Sequence, residues 1–226
     1  MMNIRVIYNY ILVRLDIRQI LPIDYIRNVK VAECNEPLIP FQIKQTFFCD
    51  EKQLLVARES VVAKLERIAD RLIKDHGLYI RILELYRSPE KQQALRNRHI
   101  QILQEEEMHL TTEQIEANVN KKVSAVGGGH QTGGAVDLCL CDSNGNMLDM
   151  GTRYDEFNAL TPTRSKKVSP IVKRNRELLL SYMKQEGFVN YPNEWWHYSY
   201  GDKMWAAYSN QRCAIYDIIN LSNDNV

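Results

Sequence analysis

The run VGGGHQTGGAVDLCLCD, Val126 to Asp142, decides how this chain is read. Glycines crowd around one histidine, His130, and an alternating apolar stretch follows with Asp137 inside it. Ala135 to Cys141 is predicted to be a strand, and DSNGN after it a turn. A phosphate loop needs GxxxxGK[ST], and a dinucleotide fingerprint needs a strand before the glycines and a helix after them. Neither order is present here, because the glycines precede the strand. A carboxylate held between Val136 and Leu138 needs a partner to offset its desolvation. His130 lies near in sequence, and the downstream run EWWH offers Glu194 and His197. Two histidines and one carboxylate with an open fourth position make a catalytic zinc set. A further acid beside them would serve as base for the activated water. Spacing alone leaves the plainer alternative open, with His130 on a loop surface and Asp137 capping a turn.

Composition narrows the classes. With 29 basic and 28 acidic residues, the net charge of +1 gives no electrostatic case for nucleic acid or an anionic membrane as partner. The expected partner is a small molecule. Five cysteines, an odd number without repeating CxxC spacing, argue against a disulfide framework and for a reducing compartment. The apolar run Val6 to Val13 is interrupted by Asn9 and followed by Arg14 and Asp16. It is too short and polar for a signal or membrane segment, reads as a strand, and points to the cytoplasm. No repeat or low-complexity linker divides the 226 residues, so a single domain over 1–226 is expected.

Val61, Leu65, Ile68 and Leu72 form a helical stripe within residues 55–76, ending at Gly77. LYIRILELY (78–86) alternates as a strand, and a helix is predicted from about Pro89. Thr111 and Gln114 stand at capping-box spacing, which predicts a short surface helix; the EEE run before it is a solvated face. A second long helix is predicted from Ser169-Pro170 to Gly187, with Ser169 as N-cap. GFVNY then reads as a strand leading into NEWWHYSYGD. Short strands without regular crossover helices indicate an α+β fold, with a small, mostly antiparallel sheet flanked by helices.

The pattern HxxGxAxD, present as HQTGGAVD, and ExxH, present as EWWH, resemble the zinc D-alanyl-D-alanine dipeptidases. Those group with D,D- and L,D-carboxypeptidases of one small α+β zinc fold, which the hedgehog signalling domain resembles. LYRSPEKQQALR, MGTRYDEF and NRELLLSYMKQEGFVNYPNEWWHY are similar to the dipeptidase branch. The resemblance covers about residues 55 to 200 and is weak before 55. It implies one zinc per chain on His130, Asp137 and His197, with Glu194 as general base and then general acid. It implies that Arg87 steadies the reacting carbonyl oxygen and that Asp155 meets the ammonium of a free dipeptide. The implied reaction is hydrolysis of D-Ala-D-Ala by metal-activated water.

One position departs from the family. Dipeptidases of the vancomycin-resistance type carry a serine two residues before the first zinc histidine, where this chain has Gly128. Backbone N–H groups of Gly127 to Gly129 would then receive the substrate carboxylate as an anion-binding nest. Two alternatives stay open: a carboxypeptidase acting on cell-wall peptides, and a zinc-bearing binding domain without turnover. Cys139 reads as a buried inert thiol. Trp195 and Trp196 are read as pocket wall or core, and His76, His99 and His109 are assigned no role.

Overall fold

A computed structural model of the chain describes residues 8, 11–12, 20–42, 44–49, 55–122 and 128–221. Helix α1 (Ile23–Arg27) leads to short strands β1 (Leu38–Pro40), β2 (Phe47–Cys49) and β3 (Val56–Arg58). Helix α2 (Glu59–His76) and strand β4 (Tyr79–Glu84) follow, then helices α3 (Pro89–Glu106) and α4 (Thr112–Lys122). A 3₁₀ turn at Gly129–Thr132 enters β5 (Ala135–Cys141); α5 (Pro170–Gln185), β6 (Val189–Asn190), β7 (His197–Ser199) and α6 (Lys203–Tyr208) complete the order.

Five strands form a sheet in the order β2-β4-β5-β7-β6, and β1 pairs with β3 separately. Only β2 runs parallel to its neighbour β4; the other pairings are antiparallel. The α+β expectation therefore holds. Strand β5 lies at the centre with all seven residues buried, which is why its alternation never becomes apolar-in, polar-out.

The helices obey their local signals. Helix α2 buries Val61, Val62, Leu65, Ile68, Ala69 and Leu72 along one stripe, and Gly77 ends it in the left-handed conformation at φ 65°. Burial of each large aliphatic there contributes about 1.5–3 kcal/mol. Ser88 accepts from Lys91 N at 3.2 Å and Ser169 from Val172 N at 3.3 Å, and each stands before a first-turn proline. Thr111 and Gln114 cap reciprocally, through Thr111 N to Gln114 Oε1 at 2.8 Å and Gln114 N to Thr111 Oγ1 at 3.3 Å.

Some expectations are corrected. Most of Val6 to Val13 lies outside the described residues, but Tyr8, Ile11 and Leu12 within it are helical; a short apolar run has no periodicity that separates strand from helix. The helical stripe begins at Glu59, because Val56–Arg58 pairs with Leu38–Pro40 as a buried strand. Helix α6 has no counterpart in the sequence reading. Asp202 begins it by accepting from Trp205 N at 2.7 Å. Among the described residues, no helix is long and apolar enough to cross a membrane.

Candidate metal centre and its surroundings

Strand register builds the site. Asp137 on β5 stands opposite His197 on β7 and, across the other edge, opposite Glu84 on β4. A β-bulge or irregularity between Ile82 and Glu84 shifts the register at that end of β4. The row Glu84, Asp137, His197 thus crosses three neighbouring strands, and His130 joins it from the 3₁₀ turn.

His130 is braced twice by the segment after β4. Its Nδ1–H donates to Leu85 O at 2.6 Å, and its backbone O accepts from Arg87 N at 3.2 Å. A carbonyl only accepts, so the proton sits on Nδ1 and the Nε2 lone pair faces the cluster. His130 Nε2 lies 3.2 Å from His197 Nδ1 and 3.2 Å from Asp137 Oδ1, and His197 Nδ1 lies 2.9 Å from Asp137 Oδ1. Tetrahedral zinc with ligands at about 2.0–2.1 Å sets its donor atoms about 3.3 Å apart. The triangle is close to that size, and its two imidazoles and one carboxylate are zinc donors. The residues fit the metal.

The loop around His130 is held from several sides. Arg58, 1% exposed, donates through Nε to Thr132 O at 2.8 Å. Gly128 N donates to Gln131 Oε1 at 3.1 Å, so this N–H is engaged, and Gly127 lies outside the described residues. A Cβ on Gly129 would stand 2.1 Å from Asp202 Oδ2, so only glycine lets the loop lie against that carboxylate.

Glu194 and His197 come from the turn between β6 and β7. Glu194 N donates to Tyr191 O at 3.0 Å, and Asn190 Nδ2 spans the turn to Glu194 O at 2.9 Å and His197 O at 3.0 Å. Burial pushes the Glu194 carboxyl up to about 8, with His197 and Arg87 opposing and Asp137 and Asp155 adding to the rise. The structure therefore brings Glu194, His197, Asp137, Asp155 and Arg87 within electrostatic reach of one another.

Arg87 does not lie on the surface. Its guanidinium donates to Glu84 and, through Nη1, to Gln92 Oε1 at 2.9 Å, while its buried Nε has no hydrogen-bond partner. Burial raises the Glu84 carboxyl, but the Arg87 hydrogen bond and the charges of His130, Arg87 and Lys91 outweigh it and hold Glu84 at about 2. Burial likewise works against the Asp137 anion, and the two histidines hold its carboxyl well below the usual range.

Asp155 is an exposed residue with its backbone left-handed at φ 59°, a conformation aspartate tolerates better than most residues. Partial burial of its carboxyl raises its pKa, helped by Asp137 and Glu84 and opposed by His99 and Arg87. Arg176 holds this loop from beneath, donating to Met150 O at 2.9 Å, Leu160 O at 2.9 Å and Pro162 O at 2.8 Å.

Sequence reasoning missed several residues. Tyr154 sits beside Asp155 in the quoted MGTRYDEF. Its hydroxyl lies 3.0 Å from Asp137 Oδ2 and 3.1 Å from Glu84 Oε2, and one proton serves one or other carboxylate. Glu84 had a signal: a carboxylate three residues before Arg87 at the end of an alternating strand. Trp195 and Trp196 are both core, each 2% exposed; Trp196 packs edge-on against Tyr154 at 5.5 Å. Cys139 is fully buried, and burial pushes its thiol up to about 12.

The chain is similar to several known proteins. A D-alanyl-D-alanine dipeptidase of Synechocystis sp. is 39% identical over 94 residues, 37% of this chain and 38% of that protein. The Escherichia coli protein of the same name is 44% identical over 73 residues, 32% and 38% of the two chains. These alignments span well under half the length of the relatives. A solved vancomycin-resistance D,D-pentapeptidase in complex with Zn(II) covers 83% of this chain and 92% of its own, with 17% identity and a TM-score of 0.49. Residues 41–216, most of the chain and all of the site, match the family described as D-ala-D-ala dipeptidase. The chain belongs to the D-Ala-D-Ala dipeptidase family.

Proposed function

We propose that this chain is a zinc-dependent D,D-dipeptidase that hydrolyses free D-Ala-D-Ala in the cytoplasm, with one zinc per chain. The convergence of His130 Nε2, Asp137 Oδ1 and His197 Nδ1 to separations of 3.2, 3.2 and 2.9 Å carries this reading. Those three residues would hold the metal. Bound zinc supplies Lewis acidity, polarising a carbonyl and lowering the pKa of water to about 7.

The chain's own groups do the rest. Glu194 as the carboxylate takes a proton from the attacking water, and its buried site, which favours the protonated form, holds that proton until it is returned to the leaving amine. Arg87, aimed by Glu84 and Gln92, sets its positive charge toward the oxygen on which negative charge develops; losing such a stabiliser costs about 10² to 10³ in turnover. Asp155 meets the substrate ammonium, and an acylated peptide brings no such charge to pair with it. The carboxylate end falls to the Gly128–Gly129 backbone, where the substrate exchanges with Gln131 for the Gly128 N–H.

Zinc-loaded protein offered D-Ala-D-Ala and its N-acetylated form tests the reading. Hydrolysis of the free dipeptide alone supports it, and equal cleavage of both moves the chain to the carboxypeptidases. Glu194→Gln is expected to lower turnover by about 10² to 10⁴ while zinc stays bound. Zinc uptake with no turnover in the unmodified chain leaves a binding domain.

A further inference from the structure

Behind His197, on the side away from the metal triangle, two polar residues are sealed in the protein. Ser199 is 0% exposed and Asp202 is 2% exposed. Ser199 follows His197 by two positions on β7, so both side chains lie on one face of the strand. Ser199 Oγ stands 3.3 Å from His197 Nε2, the ring nitrogen opposite the one that faces Asp137 and His130.

Asp202 divides its carboxylate. Oδ1 caps helix α6 through Trp205 N at 2.7 Å, whereas Oδ2 is buried without a partner of good geometry. Burial raises the Asp202 carboxyl, and the Trp205 N–H and the Ser199 hydroxyl oppose that rise. A buried carboxylate oxygen left unmatched is costly, and capping needs only the other oxygen. The cap therefore does not explain why a second oxygen is held beside Ser199 and against Gly129.

Hydrogen-bond chemistry gives the chain a direction. With Nδ1 as metal donor, the His197 proton sits on Nε2 and must be donated. Ser199 Oγ accepts it and passes its own hydroxyl proton toward Asp202, which only accepts when ionised. Imidazole ligands are commonly oriented by a hydrogen-bond partner on the far nitrogen; here the Ser199 hydroxyl stands at that nitrogen. We propose that Ser199 and Asp202 are positioning residues that fix the tautomer and ring orientation of His197. This rests on the zinc reading above.

Zinc affinity, measured by competition with a chromogenic chelator, tests it without any turnover assay. Ser199→Ala and Asp202→Asn are each expected to weaken zinc binding by about 10- to 100-fold. In zinc-loaded protein, the His197 Nε2–H proton seen by NMR should exchange faster with water in Ser199→Ala, a change that a merely structural role would not produce. Asn keeps an acceptor for the α6 cap; should Asp202→Asn still unfold, Ser199→Ala carries the test. Unchanged affinity and an unchanged Nε2–H signal overturn this inference alone. A wild-type chain that takes up no zinc overturns it together with the metal reading.

Discussion

Strand β5 and the α3–α4 hairpin stand next to each other in the chain and are built on opposite principles. All seven residues of β5 are buried, and its two edges pair with β4 and β7. The hairpin has a small core of its own, Ile115 and Val119 with Leu95, Ile100, Leu103 and Leu110 against them. It meets the site at its root, where Gln92 and Lys91 meet Arg87 and Glu84, and through the charge of His99 acting on Asp155. The difference shows how the molecule is divided: local capping and a private core suffice for the hairpin, whereas the metal triangle exists only through the register of distant strands.

Substitutions can break this contrast. Asp137→Ala removes a donor and leaves two histidines facing each other, so dialysed protein should retain no zinc by elemental analysis. Ile115→Ala should retain all of it. Equal zinc loss from both would dissolve the division. A smaller effect is expected in stability: Leu138→Ala, fully buried in β5, should cost about 2–5 kcal/mol in urea unfolding. Leu103→Ala, only partly buried in the hairpin, should fall below the low end of that range.

Acid should strike the strand region. Glu84 titrates at about 2 in the folded protein against an ordinary 4.5, so its anion stabilises the fold at pH values above 4.5. That contribution, on the order of 3 kcal/mol, is lost as pH falls from 4.5 toward 2. Urea midpoints at pH 6, 4 and 3 should decline in that order; a flat series would mean that Glu84 is not held by Arg87 and Lys91. The smallest effect belongs to the hairpin. Thr111→Ala removes its cap and should cost about 0.5–2 kcal/mol, visible as lost helicity near α4, with zinc affinity untouched.

Much of the fold was legible before any coordinates. The glycine that ends α2, the serine–proline starts of α3 and α5, and the Thr111–Gln114 box are local chemistry, satisfied within four residues of backbone. HQTGGAVD and EWWH pointed to His130, Asp137 and His197 through the family resemblance, with the aspartate inside an apolar strand as the local signal, and the fold brings the three together. Helix α6 and the three first strands escaped, since three to six residues carry no reliable period and those strands are defined by what they pair with.

The remaining members of the site came from tertiary structure. Glu84 meets Asp137 only because the β4–β5 register shifts between Ile82 and Glu84, and Tyr154 reaches both from a loop that Arg176 ties down. Ser199 and Asp202 look like ordinary polar residues until β7 is laid beside β5 and the loop at Gly129. The sequence by itself determined which side chains carry metal-donor and proton-accepting atoms, because those are properties of residue type. Only the folded chain decided which groups hold them in place and shift their protonation, because burial, register and charge separation are properties of distance.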